Sequence, residues 1–189
     1  MDALLISTGV VALAEIGDKT QLLAFLLAAR FKKPLPIILG ILVATLLNHG
    51  MAGALGAWLT SLVSPQIMRW VLGASFLAMA LWTLVPDSFD EAEAKTADQV
   101  GVFSATVVTF FLAEMGDKTQ LATIALAAHY ATPITVIAGT TLGMMIADVP
   151  AVFVGDRFAA KIPMKLVRAV AAGLFAVLGI LTLLGVGQG

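Results

Sequence analysis

Ala14-Glu15-Ile16-Gly17-Asp18-Lys19-Thr20-Gln21-Leu22 occurs a second time as Ala113-Glu114-Met115-Gly116-Asp117-Lys118-Thr119-Gln120-Leu121. The offset is 114 − 15 = 99 residues, and the register holds beyond the motif. Ala28-Ala29 matches Ala127-Ala128, Pro34 matches Pro133, Gly40 matches Gly139 and Gly56 matches Gly155. Apolar segments resemble one another by chance, but chance does not carry a charged core and a proline in one frame. The chain is therefore read as a duplicated unit.

The solvent of that unit follows from composition. Of 189 residues, 60% are hydrophobic and 12% charged, with a mean hydropathy of +1.00. Soluble domains have about 45–50% apolar and about 25% charged residues, and a chain this size cannot hide such an excess from water. Lipid is the expected partner of most of its surface. A net charge of −1 gives no electrostatic case for nucleic acid. The absence of cysteine excludes disulfide scaffolds and thiolate metal sites, and two histidines argue against an imidazole-rich one. The N-terminal apolar run has no basic flank and is too long for a signal peptide, so it is expected to be the first membrane span.

Breaks in hydropathy divide the chain into six spans, at 3–29, 35–62, 67–85, 100–128, 134–155 and 164–187. Each reaches or exceeds the roughly 20 residues that cross a bilayer as a helix. Spans one, two and four are longer, which implies tilt or interruption. In lipid the backbone must satisfy itself, and continuous apolar runs do so as helices. The expected fold is an all-α membrane protein of six transmembrane helices in two three-helix repeats, 1–86 and 100–189, joined by an acidic linker at 87–99. Three spans is an odd number, so the second repeat enters from the opposite face and the two are inverted. Arg30, Lys32, Lys33, Lys95, Arg157 and Lys161 fall in the loops of one side, which makes that side cytoplasmic and puts both termini outside.

Glu15, Asp18 and Lys19 lie mid-span, as do Glu114, Asp117 and Lys118. An ionisable group at bilayer depth costs about 2.5–3.5 kcal/mol on insertion scales, so these six are expected to face one another or a wet cavity. On a continuous helix Glu15 and Asp18 share a face, and Lys19 is four residues from Glu15, where it can partly neutralise it. Gly17 and Gly116 permit either close backbone approach or a break that frees carbonyls. Thr20, Gln21, Thr119 and Gln120 extend the polar segments as ligands or as packing groups. Lys19 and Lys118 are read as charge balance, because an ammonium cannot ligate a cation. Four carboxylates and two ammoniums sum to −4 + 2 = −2. One divalent cation or two protons would neutralise the set, which fits exchange of one for the other. Oxygen ligands suit hard divalent ions such as Mn²⁺, Ca²⁺ and Mg²⁺.

Asn48 and His49 are mid-span in the second apolar segment, and Asp148 holds His49's repeat position (49 + 99 = 148). They are candidates to line the pathway or relay protons, with a plain helix–helix hydrogen bond as the competing reading. His129 ends the fourth segment and is read as interfacial, Asp156-Arg157 as a membrane-edge pair. Trp58, Trp70 and Trp82 near span ends suit an aromatic belt. A structural polar knot is the bland reading of the motif itself, but a single Asn or Ser achieves that more cheaply.

The doubled motif resembles the E-φ-G-D-[KR]-[TS] signature of a family of membrane cation/proton exchangers long known as uncharacterised protein family sixteen. Golgi and chloroplast manganese/calcium transporters and MneA-type bacterial manganese exporters are among its members. The resemblance covers both motifs, the three-plus-three layout and the acidic central loop, with no departure at the motif positions. It implies a multi-pass cell-membrane antiporter, not an enzyme, that moves Mn²⁺ or Ca²⁺ against protons without a resident cofactor. Manganese export is the implied bacterial role. Glu15, Asp18, Glu114 and Asp117 match the family's metal-binding carboxylates. Export of another small cation or of a cationic amino acid, a passive cation channel and a non-transporting scaffold or intramembrane enzyme are the alternatives. The oligomeric state, a homo-oligomer included, is left open.

Overall fold

The computed structural model describes residues 2–85, 101–154 and 164–185, and all regular structure among them is helical. The acidic linker and the Asp156-Arg157 pair lie outside the described residues. In chain order the helices are α1 (Asp2–Glu15), α2 (Lys19–Phe31), α3 (Pro34–Leu62), α4 (Pro65–Thr83), α5 (Val102–Glu114), α6 (Lys118–Tyr130), α7 (Pro133–Val154) and α8 (Met164–Leu183).

The first and fourth apolar segments are each two helices. Both break inside the motif, where Gly17 and Gly116 take φ of +80° and +76°. That region is open to glycine and strained for other residues. Asp18 and Asp117 follow in extended conformation as N-caps of α2 and α6. The break replaces the continuous-helix geometry: Glu15 and Asp18 do not share a helical face, and Glu15 and Lys19 are not neighbours on one turn. α2 and α6 also end alike. Lys32 and Ala131, again 99 apart, adopt left-handed φ of 52° and 51°, and Pro34 and Pro133 start the next helices. Proline fits a first helical turn because its missing N–H would have no partner there.

Glycines set how the helices cross. A Cβ at Gly139 of α7 would lie 2.7 Å from the Leu4 carbonyl and 2.9 Å from Ser7 Cβ on α1. Four residues on, one at Gly143 would meet Thr8, Val11 and Ala12. Both numbers rise together, so α1 and α7 run parallel at backbone contact. Gly40 of α3 meets Phe103 and Thr106 of α5, the residues 99 beyond Leu4 and Ser7. α4 and α8 pack the other way: Gly73 meets Leu183, and Gly179 meets Leu77. Small residues let helices approach this closely where lipid supplies no hydrophobic drive.

Buried apolar side chains form two clusters. One joins Val10 and Ala14 of α1 to Met68, Phe76 and Met79 of α4, Leu126 of α6 and Phe175 of α8. The other joins Leu23 and Leu27 of α2 to Ile37 and Ile41 of α3 and Phe110 of α5. Outside them the surface is apolar. Ile134 is 83% exposed, and Trp58, Trp70 and Trp82 are also exposed. Patches of this extent mark a surface made for something other than water. Among the described residues, Pro34–Leu62, Pro133–Phe153 and Lys165–Leu183 are each long and apolar enough to cross a membrane. α1, α2, α5 and α6 have 14, 13, 13 and 13 residues. At about 1.5 Å per residue, each alone is shorter than a hydrocarbon core of about 30 Å.

Candidate cation site

Each break is held by the same local chemistry. The Gln21 side chain accepts from the Gly17 N–H at 2.9 Å, and Gln120 accepts from the Gly116 N–H at 2.8 Å. A donor left over at the turn is thus satisfied by the third residue of the following helix, close to a capping-box arrangement. Thr20 donates to Glu15 Oε2 at 2.6 Å, and Thr119 donates to Glu114 Oε2 at 2.9 Å. Each hydroxyl fixes the glutamate that ends the preceding helix. The helix C-termini bring negative dipole ends to the site and the N-termini of α2 and α6 bring positive ones, the latter beside the capping aspartates.

The halves are stitched together by exchange. Lys118 Nζ lies 3.0 Å from Asp18 Oδ1, and Lys19 Nζ lies 3.4 Å from Asp117 Oδ1. Each ammonium therefore engages the aspartate of the other motif, not the glutamate of its own. The two contacts are reciprocal, each lysine crossing to the other half. The exchange is unequal: the Lys118 side chain is 4% exposed and that of Lys19 is 21%. Asp18 also accepts from the Lys19 N–H at 2.8 Å, whereas the Asp117 side chain makes no cap bond.

Glu15, Glu114 and Asp117, all buried, each offer a carboxylate oxygen within 4.8 Å of the others. Divalent ions that take oxygens at about 2.3–2.6 Å can bridge such a spacing. Among the described residues, Glu15 Oε1 and Glu114 Oε1 have no hydrogen-bond partner. Asp18 is not one of the three, being held by Lys118 and by its capping bond. Three of the four motif carboxylates thus converge tightly, and the fourth stands beside them.

The second-row residues divide. Gln120 donates to Asn48 Oδ1 at 3.3 Å, and Asn48 donates to the Phe111 carbonyl at 3.1 Å. At the matching place in the other half Gln21 donates to the Ala147 carbonyl at 2.9 Å. Asn48 and Ala147 are repeat mates (48 + 99 = 147), so both glutamines tie a motif to the long helix beside it. His49 and Asp148 are fully buried and have no hydrogen-bond partner among the described residues. His129 is half-buried. It lies edge-on to Phe76 and Tyr130, with Thr182 Oγ1 3.4 Å from its Nδ1.

Fold and site together define a duplicated helical membrane protein with broken helices meeting at buried carboxylates. The profile of the family described as "Divalent cation/proton antiporter GDT1" matches residues 3–91 and 102–188, segments whose starts differ by 102 − 3 = 99. The chain belongs to that family, and is a membrane protein of a transporter family. A Vibrio cholerae protein named "Putative manganese exporter" is 51% identical over 183 residues, 96% of this chain and 90% of that one. "GDT1-like protein 3" of Oryza sativa subsp. indica is 30% identical over 200 residues, 92% of this chain and 71% of its own. "GDT1-like protein 5" of Arabidopsis thaliana is 28% identical over 209 residues, 91% of each. No solved structure gives a significant match.

Proposed function

We propose that this protein exchanges a divalent cation, Mn²⁺ or Ca²⁺, for protons across the cell membrane, with Mn²⁺ export as its role. Glu15, Asp18, Glu114 and Asp117 bind the ion and share the coupling protons. The observation that carries this reading is the convergence of Glu15, Glu114 and Asp117 with two glutamate oxygens unengaged. Buried acids left open in this way are costly unless a cation or a proton occupies them. Lys19 and Lys118 hold the aspartates and limit the net charge. A site that is near neutral when loaded, with either cargo, reorients more easily than an empty one. The name of the Vibrio relative favours manganese.

In this reading α1 with α2, and α5 with α6, each make one interrupted span. With α3, α4, α7 and α8 they give six spans in two inverted repeats, 1–86 and 100–189, flanking a cytoplasmic linker at 87–99. The parallel course of α1 with α7 supports it. Strict alternation makes spans one and five parallel, while two repeats of the same orientation would make them antiparallel. Both termini are then non-cytoplasmic.

The test is flux in proteoliposomes under an imposed pH gradient, with Mn²⁺, Ca²⁺ and internal pH followed together. Metal movement opposed by proton movement, and lost in a Glu15→Gln/Glu114→Gln variant, is the expected result. Metal flux indifferent to the pH gradient would replace exchange by a passive pathway. Flux of neither ion would overturn the divalent-cation reading.

A further inference from the structure

The two halves agree closely around the motifs but differ in the buried ionisable group that each long helix carries beside them. α7 carries Asp148 where α3 carries His49. Asp148 is fully buried, and neither of its oxygens has a hydrogen-bond partner among the described residues. Its helix is locked beside the motif. α1 and α7 run parallel with Gly143 against Thr8, Val11 and Ala12, and Gln21 reaches the carbonyl of Ala147. Counting on from that register, Asp148 comes level with Glu15 at the end of α1. The carbonyl that Gln21 reaches belongs to Ala147, the residue just before Asp148, so Asp148 stands beside the first motif.

The segment is also loosened there. Pro150 lies within α7, two residues beyond Asp148. Proline has no N–H, so the carbonyl four residues earlier, that of Ile146, loses its helical donor. The repeat mate of Pro150 is Met51, which has no such effect. An open acid and a released carbonyl therefore occur together on α7 and not on α3. A structural Asp in this setting would be expected to find a donor, since a buried unpaired carboxylate is far costlier than a neutral side chain.

We propose that Asp148 is a further binding residue for the transported cation, one that the second repeat supplies and the first does not. The proposal rests on the cation reading given above. The cation then meets a site whose two sides differ in charge, although the motifs on them are the same. Asp148 lies outside the doubled motif, so nothing in the motif itself assigns it.

Equilibrium dialysis of the full-length protein in detergent against Mn²⁺ tests this, alongside the unfolding temperature. Loss of a ligand or of its hydrogen-bonded support weakens metal binding roughly 10- to 100-fold. Asp148→Asn is expected to weaken Mn²⁺ binding at least about tenfold. Asp148→Leu guards against misfolding, because an apolar group removes the cost of burying the acid. A folded Asp148→Leu or Asp148→Asn protein that binds Mn²⁺ like wild type overturns the proposal. If wild type binds neither Mn²⁺ nor Ca²⁺, the cation reading and this proposal fall together. If wild type binds and only the effect of Asp148 is missing, this proposal falls alone.

Discussion

Lys118 reaches out of its own motif to Asp18, the repeat mate of Asp117 (117 − 18 = 99), at 3.0 Å with both side chains buried. The mirror contact, Lys19 with Asp117, is longer at 3.4 Å and its lysine is partly exposed. Removing one member of a buried pair leaves the other charge unpaired, at a cost of about 3–5 kcal/mol. Exposed pairs contribute about 0–1 kcal/mol. Lys118→Met should therefore lower the unfolding temperature clearly more than Lys19→Met. Thermal unfolding of the two variants in the same detergent checks the order, and equal shifts would mean that the two bridges are equivalent.

Gly116 adopts φ of +76° with nothing within 4 Å of where a Cβ would stand. Its substitution by alanine thus measures backbone strain free of any clash. A left-handed conformation costs an L-residue about 1–2 kcal/mol. Gly116→Ala should lower stability by about that amount and reduce transport, because relief of the strain straightens the break that aims Glu114 and Asp117. A variant with wild-type unfolding and flux would show that the break does not depend on glycine.

Gly143 differs, since a Cβ there would stand 2.6 Å from the Thr8 carbonyl. Gly143→Ala must push α7 off α1, whereas Gly173→Ala on α8 meets nothing within 4 Å. The first is expected to reduce the yield of monodisperse protein on size exclusion and the second to leave it intact. Equal yields from the two variants would mean that close packing at Gly143 does not govern assembly.

Thr20 and Thr119 hold one oxygen of each site glutamate. Thr20→Val keeps the volume and removes the donor. Supporting hydrogen bonds of this type are worth roughly 10- to 100-fold in metal affinity. The expected result is a raised half-saturating Mn²⁺ concentration with the protein still folded, and Thr20→Ser should restore it. Unchanged flux kinetics in Thr20→Val would reduce the hydroxyl to a packing role.

Much of this arrangement can be read from the chain before any coordinates. The 99-residue frame, the apolar segments and the clustering of six charged groups all follow from hydropathy and from the cost of burying charge. The helical class and the family agree with that reading. The lysine pairing does not follow, because it depends on which partner sits opposite in space. Treating Glu15 to Lys19 as one helical turn pairs Lys19 with the wrong acid. The signal for the break is nevertheless present. Gly17-Asp18 followed by Gln21 is a left-handed helix stop, an N-cap and its N3 partner in succession. Asp148 could be picked out as His49's counterpart, but no sequence pattern reveals that its oxygens lack donors.

The close crossing of α1 on α7 also bears on how the protein is made. Ser7, Val11 and Glu15 recur every four residues along α1, and all three are buried. The helix that covers the first two levels begins at Pro133, well over a hundred residues later in the chain. During synthesis from the N-terminus, α1 therefore waits with this stripe, Glu15 at its end, uncovered until most of the protein has emerged. Assembly of the core is accordingly a late event in biogenesis, and a nascent chain stopped before α7 would present Glu15 to the machinery that removes unfinished membrane proteins.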